Sequence, residues 1–418
     1  MKQYIQTALH DLFYIWKQEL KQVFRDSGVM IFFFLVPLAY PVLYGLIYNP
    51  EVVHEVKMLV VDHSATASSR EFVRRIEASP DVRVAAYCQD MEEAKALLDA
   101  KKGYGILYIP SSFSNDIHTG KQTTVNLYCD MGALLYYKAI LLSTTEASLA
   151  MGADIRLANQ PGSVSASLDE VIAYPVVYES VALYNTQNGF SSFLLPGILI
   201  LVIQQTMLLG VGMLAGTARE RNRFRSLIPV SKHYSGTLRV ILGKALAYFI
   251  IYTLVSAWAL MVVPAIFELP RLGSFSSLVL FSLPYIFSCI FLSMTLSCLI
   301  TGRETPMLAF VFASVPLLFL SGISWPQSAI PVFWKWVSYL FPSTFGVQAF
   351  VKVNSMGASL PQIDFEFKGL WILTIFYFVT TWFLYRKQIV AARKQRSLMH
   401  SVLKNKRKGA ATLPEQGE

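Results

Sequence analysis

Apolar residues in this chain gather into long runs. Six windows, at about 29–48, 191–216, 240–266, 275–301, 305–321 and 369–385, are apolar and nearly free of ionisable groups. Each has roughly the length that a helix needs to cross the hydrocarbon of a bilayer. A seventh apolar stretch, 322–346, is interrupted by Pro326, Pro331 and Pro342. Helix fragments divided by proline cannot cross lipid as one regular helix, because backbone groups would be left without partners. The pattern predicts either a segment that re-enters the membrane part-way or an amphipathic loop on its outer surface. Both readings put a gate-like element at the outer mouth, and Trp325, Trp334 and Trp336 suit that interface.

Ahead of the first window, Leu9, Leu12, Phe13, Trp16, Leu20, Val23 and Phe24 recur at helical spacing, with Lys17, Lys21 and Arg25 between them. The spacing predicts an amphipathic helix over 1–28 that lies in the inner membrane interface. A helix packed on a soluble partner is the alternative. Trp16, Lys17, Glu19, Arg25 and Asp26 are the candidate residues of the interface helix.

Between 49 and 190 the pattern changes. "VKMLVVDHS", "DVRVAAY", "GYGILYIP" and "TTVNLYCD" read as strands; "SSREFVRRIEAS" and "DMEEAKALLDAKK" read as helices. Asp90 with Glu93 three residues on has the spacing of a capping box. Alternating strands and helices predict a small α/β domain. A long helix follows over 134–158, then a connection marked by Pro161, Gly162 and several serines, and 168–190 leads back to the membrane. The fold class is a polytopic α-helical membrane protein. It has six transmembrane helices, a re-entrant segment before the last, and an α/β insert after the first.

Composition agrees. The 418 residues are 54% hydrophobic and only 15% charged, with mean hydropathy +0.45; a soluble domain carries about 25% charge. The net charge of +9 could suggest nucleic acid, but its placement argues otherwise. The insert 49–190 holds 11 Lys/Arg against 17 Asp/Glu, whereas 217–239 holds six against one and 386–418 nine against two. Basic loops stay in the cytoplasm. Both termini, the 217–239 loop and the 302–304 link are therefore expected inside, and the insert and the 267–274 link outside. The first window begins too late for a secretory signal and reads as a retained anchor. The last dozen residues read as disordered.

Catalytic chemistry is hard to find. No phosphate-binding G-x-x-x-x-G-K-[ST] loop, H-E-x-x-H or C-x-x-C is present. The six histidines are not at metal-ligand spacing, so no metal is expected. Asp62-His63-Ser64 reads as a turn. Cys289 and Cys298 fall in a span and read as small apolar residues. Cys88 and Cys129 fall in the insert, where a disulfide and two free thiols are both open readings. Inside the windows the notable polar residues are Gln204 and Gln205, readable as helix-packing glue or as part of a substrate pathway.

Three stretches carry a family resemblance. "WKQELKQVFRDSGVMIFFFLVPLAYPVLYG" (16–45) resembles an N-terminal interface helix entering a first span. "ARERNRFRSLIPVSKHYSGTLRVILGK" (218–244) is similar to a cytoplasmic loop after a second span. "SGISWPQSAIPVFWKWVSYLFPSTFGVQAFVKV" (321–353) is similar to re-entrant helices before a last span. Together, in this order, they resemble the ABC-2 type permease family, the membrane subunits of ABC exporters, in its subgroup with a large extracytoplasmic domain. Relatives place Gly-Thr-Leu-Glu directly after Glu-Arg; here Asn222-Arg223-Phe224-Arg225 follows, and Gly-Thr-Leu comes at Gly236-Thr237-Leu238.

The resemblance implies an exporter permease in the cell inner membrane that pairs with a second copy or a paralogue. It implies a separate ABC ATPase subunit that binds ATP and Mg, so that this chain holds no cofactor and is not itself an enzyme. Arg219, Glu220, Arg221, Phe224 and Leu227 become candidate contacts to that ATPase; anionic membrane lipid is the alternative partner of the loop. A periplasmic membrane-fusion adaptor is a further expected partner of the insert. The rival reading is a non-transporting membrane anchor, sensor or assembly protein that presents the α/β domain.

Overall fold

The computed structural model describes residues 2–49, 51–158, 181, 183–186, 189–221, 227–228, 231, 233–234 and 236–410. The chain divides into two compact units, Met1–Asn49 with Leu183–Glu418, and Pro50–Ala182.

The first unit is a helix bundle. Helix α1 (Lys2–Arg25) is followed, across Asp26, by α2 (Ser27–Tyr48). In α2 the ladder loosens to a π turn at Ile31–Leu35, just ahead of Pro37, whose missing N–H would otherwise break it.

In the second unit, β1 (Val56–Asp62), α3 (Ala67–Glu77), β2 (Val82–Cys88), α4 (Met91–Asp99), β3 (Gly105–Ile109), α5 (Phe113–His118), β4 (Asn126–Cys129) and α6 (Leu134–Ala158) follow in turn. The sheet order is β2-β1-β3-β4, with β1 parallel to both neighbours and β4 antiparallel to β3. Met58–Val61 of strand β1 form an unbroken apolar run because both faces of the strand are covered there. Met58 and Val60 pack against Phe72, Val73 and Ile76 of α3 and Ala139, Ile140 and Ala147 of α6. Leu59 and Val61 point the other way, toward Ala94 of α4. Asp90 caps α4 by accepting the Glu93 N–H at 2.8 Å, and Glu93 accepts that of Gln89 at 2.8 Å. Asp62 accepts the N–H groups of Ser64 and Ala65, so Asp62-His63-Ser64 forms a turn.

The sheet order corrects the disulfide reading. Cys88 lies on β2 and Cys129 on β4, the two outermost strands. Three strand spacings separate them, about 14 Å, whereas a disulfide needs Cα atoms within about 7 Å. Both thiols are free, and burial pushes Cys129 up to about 11.

The bundle resumes with α7 (Phe190–Arg221), α8 (Thr237–Ile266), α9 (Phe275–Ser297), α10 (Thr305–Leu320), α11 (Val332–Ser338), α12 (Pro342–Phe350) and α13 (Asp364–Ala410). Five helices among the described residues are long and apolar enough to cross a membrane. The sixth expected span differs. α10 has 16 residues, about 24 Å of helix, because Glu304 and Pro306 start it and the chain turns at Gly322 (φ +89°). α7 is buried on nearly every side and forms the axis of the bundle. Polar bonds tie the bundle together: the Tyr285 hydroxyl of α9 donates to the Ile200 carbonyl of α7 at 2.6 Å, and Thr295 of α9 meets Thr381 of α13 at 2.8 Å.

Candidate functional site

The sequence predicts one apolar face on α1. The helix has two working faces. Leu9, Phe13 and Phe24 are half exposed or more on the outer one, and Lys17, Lys21 and Arg25 are exposed beside them. Trp16 is partly buried. On the inner face Asp11, Ile15, Glu19 and Val23, at successive fours, are buried, and Asp26 follows just past the helix end.

Each inner carboxylate meets a base from far along the chain. Asp11 accepts from Arg239 Nη1 at 2.7 Å and lies 2.7 Å from His233 Nδ1. Burial alone would raise the Asp11 carboxyl; the bonds to His233 and Arg239 outweigh it and hold it below its ordinary value. Glu19 takes both oxygens to Lys244 Nζ, at 2.8 Å each, and the Tyr248 hydroxyl also donates to it. Asp26 caps α2 by accepting the N–H groups of Gly28 and Val29, and pairs with Arg303 Nη2 at 2.6 Å. Thr217 of α7 donates to its other oxygen at 3.4 Å.

The end of α7 joins this belt. A Cβ at Gly216 would lie 2.5 Å from the Gly302 carbonyl oxygen, so only glycine lets the helix pass the 298–304 link so closely. Two of the expected ATPase contacts turn toward that link. Arg219 Nη2 donates to the Cys298 carbonyl at 2.5 Å, and Glu220 Oε1 accepts the Arg303 N–H at 2.7 Å. Arg221 is exposed. Phe224 lies outside the described residues. Leu227, the remaining expected contact, is 3% exposed and packs in the bundle core.

His10, Asp11 and His233 bring donor atoms within 4.8 Å of one another, a grouping that spacing along the chain does not announce. Arg239 already neutralises the Asp11 carboxylate, and we assign the cluster to holding His233 and Arg239 on α1.

The two glutamines part ways. Gln204 accepts the Ser343 N–H at 2.7 Å and donates to Ser343 Oγ at 3.1 Å, capping α12 from the second span. Gln205 is buried, and neither its amide oxygen nor its nitrogen has a partner among the described residues. It lines a largely apolar cavity of about 350 Å³ with Phe32, Tyr40, Tyr44, Thr206 and Phe310. Of the three gate prolines, Pro326 and Pro331 precede a short 3₁₀ turn and α11, and Pro342 is the first residue of α12. Trp325, Trp334 and Trp336 are each more than half exposed.

The model of the ABC-2 family transporter protein matches residues 28–383, most of the chain. The chain belongs to this family. As an ABC-2 family protein it is a multi-pass membrane protein, and its apolar helices are the permease part of a transporter. No curated protein matches the chain. In this ABC-2 protein the sequence reading missed Asp11, Lys244 and Arg303. Lys244 could have been found, as a single cation in an otherwise apolar window, because such a charge is stable only with a partner.

Proposed function

We propose that this chain is the transmembrane permease subunit of an ATP-driven exporter, forming the pathway as a pair and driven by a separate ABC ATPase. One observation carries the reading. Helix α1, the first turns of α2 and α8, and the 298–304 link are joined by ion pairs whose carboxylates are buried, and the end of α7 is bonded to them through Thr217 to Asp26 and Glu220 to the Arg303 N–H, making one charged belt. A belt of this kind is the rigid block that an ATPase needs to push on. Arg221 and the neighbouring 222–226 segment offer the ATPase its contact, while Arg219 and Glu220 pass the movement to the link. ATP and Mg²⁺ bind in the ATPase; the absence of a phosphate loop in this sequence supports that division.

The basic loop and tail support cytoplasmic termini in an inner membrane, with the acidic insert outside and available to a periplasmic adaptor. The Gln205 cavity supports a pathway for an amphipathic cargo that brings its own hydrogen-bonding group. Arg221→p-benzoylphenylalanine in the full chain tests the reading. Photolysis in native membranes is expected to capture an ATPase. Capture of lipid alone would contradict it.

A further inference from the structure

Helix α6 is seated on the sheet by one face only. Ala139, Ile140, Ser143, Thr144 and Ala147 are buried, and Asp154 pairs with Arg75 of α3 at 2.7 Å. The opposite face carries Leu135, Leu142 and Leu149, exposed by 40%, 48% and 47%. Leu134 and Leu141 flank them, also exposed. Five exposed leucines on one helix form a patch of the kind that marks a contact site.

Five positions on this face are symmetric about one residue, while Leu134 and Leu141 are not, their mirror positions being Ala150 and Ser143. Leu142 is the centre. Leu135 and Leu149 lie seven residues to either side, and Lys138 and Glu146 lie four to either side. Both charged residues are exposed, and neither has an ion-pair partner among the described residues. Within these five positions the signs break the symmetry, and they break it in a complementary way. When two copies of the helix are laid antiparallel across a two-fold axis at Leu142, Leu135 meets Leu149 of the second copy. Lys138 then stands level with Glu146 of the second copy, and the pair occurs twice. A two-fold contact requires such self-complementarity, with residue i on j and j on i. A parallel pairing would set Lys138 against Lys138 and Glu146 against Glu146.

We propose that the outer face of α6 is an interaction surface for α6 of a second copy of this chain, paired antiparallel about Leu142. A 25-residue helix is about 37 Å long, and one helix pair covers less than the roughly 800 Å² per partner of a free-standing interface. The contact therefore acts between copies already concentrated in one membrane, where the second contact is effectively intramolecular. It rests on the permease reading only in that two copies share an assembly.

Cysteine crosslinking of the full-length chain in membranes tests it, with Cys88 and Cys129 changed to Ser. Leu142→Cys sits on the axis and is expected to crosslink to itself. Lys138→Cys is expected to crosslink to Glu146→Cys on a differently tagged copy, but not to itself, since two copies of position 138 lie about 12 Å apart along the axis. In the native-cysteine chain, Leu142→p-benzoylphenylalanine is expected to give the same self-adduct. Lys138→Glu is expected to lower its yield about two- to fivefold, and adding Glu146→Lys to restore it. Self-crosslinking at 138 as strong as at 142, no rescue by the charge swap, or photoadducts only with lipid or another protein would overturn the proposal. An ATPase that still assembles with a chain showing no 142 adduct would sink this inference alone. A 142 adduct in a chain that captures no ATPase would sink the permease reading alone.

Discussion

Lys244, inside the third apolar window, places its Nζ 2.8 Å from both carboxylate oxygens of Glu19, 225 residues earlier on α1. Both side chains are more than nine-tenths buried. Removing one partner strands the other charge, whereas removing both does not. Glu19→Ala or Lys244→Ala is expected to cost about 3–5 kcal/mol of stability. Glu19→Leu with Lys244→Met should recover much of that loss. Thermal unfolding in detergent reads both outcomes; equal losses in the single and double variants would count against the pair.

Gly216 is expected to be intolerant of any side chain. Gly216→Ala would push α7 off the Gly302 carbonyl, an overpacking cost of about 1–3 kcal/mol. It would also disturb the Glu220–Arg303 bond. The expected signature is a lowered melting temperature with ATP turnover in the assembled transporter reduced further than the stability loss explains.

Gln204 and Gln205 are expected to separate cleanly. Gln204→Ala leaves the buried Ser343 N–H without an acceptor and should cost about 1–3 kcal/mol. Gln205→Leu removes an amide that has no partner among the described residues, so stability should hold or rise while cargo handling changes. Melting curves of the two variants decide it.

Asp11 sets a pH response. Its carboxyl is held below the ordinary value in the folded chain, so its contribution is complete above about 3.9 and is lost as the pH falls through the lower folded value. Hydrogen exchange in α1 around residues 8–15 is expected to quicken below pH 4. Asp11→Asn should remove that pH dependence.

The spans and the α/β insert were legible because both write local patterns. An apolar run of lipid length has few other readings, and β1 carries the apolar run Met58–Val61 with caps such as Asp90 nearby. The belt was not legible. Glu19 and Lys244, or Asp26 and Arg303, are joined only by the packing of distant helices. The same limit hid the partners of Arg219 and Glu220. Their charge marked a cytoplasmic loop, but their partners at Cys298 and Arg303 lie about 80 residues away. Cys88 and Cys129 failed for strand order, which no local pattern encodes.

The most direct test is ATP hydrolysis carried by the purified, full-length chain from native membranes. Vanadate-sensitive activity is expected to co-elute with the chain and to be lost with Arg221→Glu, while the variant's melting curve is unchanged. A folded, monodisperse chain with no ATPase at its elution position would contradict the account.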